Sequence, residues 1–181
     1  MARHNIRTRV FIGCEGASER SYIRWIQDLA NERGLGLHLD AQIANGGDPL
    51  AIVQVSAKTL KKRQRAHGKY QASAVLLDSD RLGVSPQRDQ QIASVAERSG
   101  LEVIWQEYDH EALLLRHFDG CRTLRPPRGQ SQARLRQEWP QYSKPADATS
   151  LGERFQLSDL IEVFAVEPEL RAFFARLGFA L

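Results

Sequence analysis

Ala74-Val75-Leu76-Leu77-Asp78-Ser79-Asp80 is the stretch on which the reading of the chain turns. Four apolar residues in a row, with no polar alternation, mark a strand covered on both faces, as in a parallel sheet held between two layers of helix. The run passes straight into two carboxylates, so the end of this strand presents acid. Upstream, Arg9-Val10-Phe11-Ile12-Gly13-Cys14 is a second β-prone run, ending at Glu15-Gly16. Ser18 is then expected to cap a helix whose apolar face uses Tyr22, Trp25, Ile26 and Leu29 before Gly34 stops it. Residues 35–43 alternate as a strand, Gly46-Gly47 turns the chain, and Asp48-Pro49 opens a helix with a cap followed by proline. Downstream, Ser85-Pro86 starts another helix, through Ile92 and Val95 to Gly100, and residues 101–105 form a further strand. Repeated units of this kind imply an α/β fold with a Rossmann-like, mainly parallel sheet, right-handed crossovers and helices on both faces. Beyond Asp109 the pattern is helical, broken at Pro126-Pro127 and Pro145, with last helices expected near residues 159–164 and 168–177.

At 181 residues and 42% hydrophobic, the chain can fill one sizeable core but not two enzymatic domains. No apolar run approaches the roughly 18 residues of a membrane span, and the first residues carry no apolar leader segment. Two cysteines, Cys14 and Cys121, make neither a disulfide framework nor a thiolate cage. The expectation is a reduced, cytoplasmic domain with no membrane partner. Its formal charge of +3 is unevenly spread. Lys58, Lys61, Lys62, Arg63, Arg65 and Lys69 follow one another without an acid, at the end of a helix where cations complement the dipole. Arg122, Arg125, Arg128, Arg134 and Arg136 form a second acid-free block.

In an open parallel sheet, ligands bind outside the carboxyl ends of the strands. Glu15 directly follows the first strand, and Asp78 and Asp80 follow the most hydrophobic one. If these strands are neighbours, three carboxylates crowd together, and protonation or a cation must relieve their repulsion. Donors that are all oxygen favour a hard ion, Mg²⁺ or Mn²⁺. The same residues also fit a purely structural arrangement, with Asp80 capping a turn, Asp78 paired with Arg81 and Glu15 solvated.

Glu15-Gly16-Ala17-Ser18-Glu19 at one strand end, followed by Asp78-Ser79-Asp80 at another, resembles the Toprim domain of topoisomerases, bacterial primases and OLD-type nucleases. More narrowly, the Cys14-Glu15-Gly16 form and the later Glu111-Ala112-Leu113-Leu114-Leu115-Arg116-His117-Phe118 resemble the small stand-alone RloB-like proteins. The chain departs from that pattern at Ser18, at residues 107–110 and at Leu113. The resemblance implies a Toprim-like catalytic domain over residues 1–120, with residues 121–181 a basic loop and helical appendage packed on the same domain. It implies general acid/base or metal-binding work for Glu15, a divalent cation held by Asp78 and Asp80, and a catalytic place in the site for Glu111. A topoisomerase would need a further domain bearing a nucleophilic tyrosine, and a primase would need zinc and template modules, for which the chain has no room. What the resemblance leaves is metal-assisted phosphodiester hydrolysis of nucleic acid, in defence against foreign DNA beside an ATPase partner. The alternative is a catalytically silent module that binds nucleic acid or that ATPase. Arg122, Arg125, Arg128 and Lys144 are the residues expected to meet the nucleic-acid backbone.

Other constellations carry less. Residues 13–18 lack the Gly-Lys ending of a phosphate loop, so intrinsic ATPase activity is not expected. Cys14 reads as a buried strand cysteine, and His117 as a packed or capping residue. Trp139 and Tyr142, beside the arginine block, are read as candidates for stacking on bases.

Overall fold

A computed structural model describes residues 7–179. Strand β1 (Thr8–Cys14), helix α1 (Ala17–Glu32), β2 (Leu37–Ile43), α2 (Pro49–His67), β3 (Ala72–Asp78), a 3-10 turn (Ser79–Arg81), α3 (Pro86–Ser99) and β4 (Glu102–Gln106) alternate as the sequence pattern requires. Then come α4 (His110–Leu115), α5 (Ser131–Glu138), α6 (Ala148–Arg154), α7 (Leu157–Val166) and α8 (Pro168–Ala175). All three strand pairings are parallel, in the order β2-β1-β3-β4, giving an α/β, Rossmann-like sheet. The chain builds leftward from β1 to β2 and then rightward to β3, so the switch in strand order falls between β1 and β3. That crevice is where a sheet of this kind accepts a ligand.

Alternation sorts the side chains of the central strands. Val10, Ile12, Cys14, Ala74 and Leu76 face a core shared with α1 and the C-terminal helices. Phe11, Val75 and Leu77 face the smaller core under α2 and α3. The larger core runs without a break from Val10 to Phe179, so residues beyond 120 are built into the same hydrophobic mass as the sheet. Helix α8 also covers the β4 edge: the Trp105 N–H donates to Glu169 Oε2 at 2.7 Å, and Arg176 pairs with Glu102. A covered edge cannot recruit another strand.

Two features differ from the sequence reading. The α1 cap is Gly16 and not Ser18, because the Glu19 carboxylate turns back to accept from the Gly16 N–H at 2.9 Å. Trp139 and Tyr142 present no faces for bases. They are 8% and 4% exposed and pack on each other, with Trp139 also edge-on to Phe155, inside the larger core. Among the described residues no helix is long and apolar enough to cross a membrane.

Candidate active site

Because β1 and β3 are hydrogen-bonded neighbours in register from Val10↔Ala72 to Gly13↔Val75, their carboxyl ends emerge side by side. Glu15 leaves the end of β1, Asp78 is the last residue of β3, and Asp80 lies in the 3-10 turn beyond it. An open cleft of about 420 Å³ is lined by Glu15, Glu19, Asn45, Gly46, Asp78 and Lys144 among others, with Asp80 outside its lining. The loop after β2 closes one side, its Gly46 N–H donating to the Glu15 carbonyl at 2.9 Å. Asn45 and Gly46 both take left-handed φ, 63° and 60°, which a loop folding this tightly over a strand end requires.

The electrostatics follow from this crowding. Asp78 is pushed up to about 9, first by burial and then by the negative charges of Glu15, Glu19, Asp109 and Glu111. Glu15 is raised too, by burial and then by Glu19 and Asp80. One Asp78 oxygen, Oδ1, is buried with no hydrogen-bond partner among the described residues. A carboxylate oxygen left so is costly unless a proton or a cation neutralises it. All-oxygen donors with an orphaned oxygen among them fit a hard divalent cation, and Glu15, Asp78 and Asp80 are the residues that could hold one. Among the described residues, however, no three His, Cys, Asp or Glu side chains are drawn together as a ready-made cage.

Glu111 has a different environment. It is 4% exposed, on the first turn of α4, and its Oε1 accepts from the Tyr142 hydroxyl at 2.9 Å and pairs with Lys144 Nζ at 2.8 Å. Burial alone would raise its carboxyl, but Lys144, aided by Tyr142, outweighs burial and holds it below the ordinary range. Lys144 is held up in turn by Glu111 against its own burial. Lys144, expected from the sequence to meet a nucleic-acid backbone, thus lines the cleft while anchored to Glu111.

The arginines divide. Arg128 reaches the turn beyond β3, its Nη2 donating to Asp80 Oδ2 at 3.2 Å. Arg122 is engaged by Asp119 and Asp159, each at 3.3 Å, and by Glu162 at 3.9 Å. Arg125 is held by Glu107 at 2.7 Å and Glu167 at 3.3 Å. Both carry out structural work that sequence spacing could not show, since Asp159 and Glu167 lie roughly forty residues further along the chain. Two acids that face the site escaped the sequence reading as site residues: Glu19, whose spacing from Gly16 is the capping-box signal, and Asp109, which caps α4 through the Ala112 N–H at 2.9 Å.

The sheet from Val10 onward, the acids at its switch point and Glu111 fall within residues 10–164, over which a family model described as RloB-like protein matches the chain. The chain belongs to the RloB-like family. No curated protein and no solved structure matches it. In this RloB-like chain the histidines flanking Glu111 are buried. His117 is held down to about 3, chiefly by burial, and is tied to the Leu113 carbonyl at 3.1 Å and the Tyr22 hydroxyl at 3.2 Å. It is a packed residue, as its spacing suggested. Cys14 is fully buried, and burial pushes its thiol up, which leaves no nucleophile there.

Proposed function

We propose that this RloB-like protein is a Toprim-type nuclease that hydrolyses phosphodiester bonds with Mg²⁺ or Mn²⁺ held by Glu15, Asp78 and Asp80. One observation carries the reading: at the switch point of the sheet, Asp78 is half-buried among acids, and its buried Oδ1 has no hydrogen-bond partner among the described residues. When bound, the cation supplies Lewis acidity and an activated water at the phosphorus. Glu15, raised above the ordinary carboxylate range by burial and then by Glu19 and Asp80, is suited to accept or return the proton of that water. Arg128 and Lys144 supply positive charge at the mouth, where phosphate oxygens would lie. Glu111, held anionic, serves to position Lys144 rather than to move a proton. A role in defence against foreign DNA, alongside an ATPase, follows from the family resemblance and belongs to the same proposal.

The absence of a ready-made cage among the described residues, together with the engagement of Asp80 by Arg128, favours a second reading, a silent module that binds nucleic acid or the ATPase. Incubation of plasmid DNA and RNA with Mg²⁺ or Mn²⁺, with and without a candidate ATPase, separates the two. Cleavage that falls by orders of magnitude in Asp78→Asn, with binding retained, supports the nuclease. Binding without cleavage under every metal and partner condition supports the silent module.

A further inference from the structure

The carboxylate cleft leaves the first basic block unused. Lys58, Lys61, Lys62 and Arg65 are at i, i+3, i+4 and i+7 of α2, a single helical stripe, and all four are exposed. With Ala66 they border a shallow groove of about 440 Å³. Among the described residues none of the four has an ion-pair partner. Arg63, a little further round the helix, turns instead to Asp40 at 3.4 Å and Gln42 at 3.0 Å. From Pro49 to His67 the helix contains no acid.

Helix stability does not account for this stripe. Like charges at i, i+3 and i, i+4 repel, and every neighbouring pair in the stripe is of that kind. The helix dipole favours cations within the last turn, which covers Arg65 and His67 but not Lys58, Lys61 or Lys62. A basic helix that lies on a membrane needs a free apolar face. Here that face is occupied, with Ile52, Val53, Ser56 and Leu60 buried against the sheet. What remains is a row of cations, unpaired among the described residues and with no large apolar side chain between them, the chemistry that follows a polyphosphate backbone.

We propose that the α2 stripe is a second nucleic-acid backbone contact, remote from the cleft. Helix α2 follows the carboxyl end of β2, so it starts at the cleft end of the sheet. Lys58 and Arg65 lie ten and seventeen residues beyond the Asp48 cap, about 15–26 Å along the axis. At 3.4 Å per base pair, a duplex reaching from that end to Arg65 covers roughly eight base pairs. Binding at the stripe stands on its own observations, and its service to the cleft rests on the nuclease reading.

The test is the salt dependence of binding to a 24-base-pair DNA duplex and a 24-nucleotide RNA, in EDTA so that nothing is cleaved. The wild type is compared with the quadruple variant K58Q/K61Q/K62Q/R65Q, after melting curves show that the variant is folded. The slope of log K against log salt should fall by roughly 3–4 on the duplex, or by roughly 3 on the single strand, since each phosphate no longer neutralised removes about 0.9 or 0.7 respectively. Equal slopes in wild type and quadruple variant on both nucleic acids, or no binding of either by the wild type, would overturn the proposal. So would unchanged slopes accompanied by loss of binding to phosphatidylserine vesicles, which would assign the stripe to lipid. Lack of cleavage in Mg²⁺ and Mn²⁺ with the slope difference intact would count against the nuclease reading alone.

Discussion

Asp78 carries a pH signature. Its carboxyl titrates near 9 in the folded protein, through burial and the acids around it, and near 3.9 when unfolded. Between those values the folded state holds a proton that the unfolded state has released, so stability falls as pH rises through that window. Asp78→Asn removes the penalty. At pH 8 without divalent cations its melting temperature should exceed that of wild type, and the difference should shrink toward zero near pH 4. Mg²⁺ should raise the melting temperature of wild type and not of the variant; equal responses would remove Asp78 from the metal site. The placement of Glu15, Asp78 and Asp80 was legible in the sequence because each follows an apolar strand with little or no spacer, which puts acid at the carboxyl end of the sheet. Glu19 and Asp109 were not, because each looks like a local helix cap until the topology turns both toward Asp78.

Strands and helices of the first hundred residues were legible to within a few residues, since period-2 and helical patterns there are bounded by Gly, Pro and capping residues. Packing between elements was not. Gly13 in β1 looks like an ordinary strand glycine, yet a Cβ built there would lie 2.3 Å from Ser56 Oγ and 2.9 Å from Ser56 Cβ on α2. Gly13→Ala should therefore cost about 1–3 kcal/mol by overpacking, and Ser56→Gly should recover most of it in urea melts. A loss that Ser56→Gly does not reduce would mean that another neighbour decides. The loop between α4 and α5 makes the same point with charge. Arg125→Ala leaves the buried Glu167 with one cation fewer and should destabilise the fold by about 1.5–3 kcal/mol. Arg128→Ala, at an exposed pair, should leave stability within about 1 kcal/mol and lower the salt slope of nucleic-acid binding by roughly 0.7–0.9. Evenly spaced arginines around Pro126-Pro127 are indistinguishable in sequence, and only the fold sorts those held by several acids from the exposed one paired with Asp80.

On the scale of the whole molecule, the C-terminal helices are part of the support of the cleft. Arg116, at the end of α4, is fully buried, its Nε 2.5 Å from Glu167 Oε1 between α7 and α8. Burial works against both charges, lowering the arginine and raising the glutamate. Breaking the pair with Glu167→Gln should cost about 3–5 kcal/mol, whereas replacing both partners by apolar residues of similar size, Arg116→Met with Glu167→Leu, should restore most of that. Equal losses in the single and double variants, measured by urea unfolding, would show that the ion pair is not what holds these helices. The pair also sets an order on protein synthesis. Helix α4, which carries Glu111, leaves the ribosome some fifty residues before the glutamate that neutralises its buried cation. Until Glu167 has emerged, docking α4 would bury the Arg116 cation without that carboxylate, at a cost of about 3–5 kcal/mol. A chain cut before Glu167 is therefore expected to hold α4, and with it the Glu111 that anchors Lys144, less firmly than the sheet, which limited proteolysis of such a truncation would show.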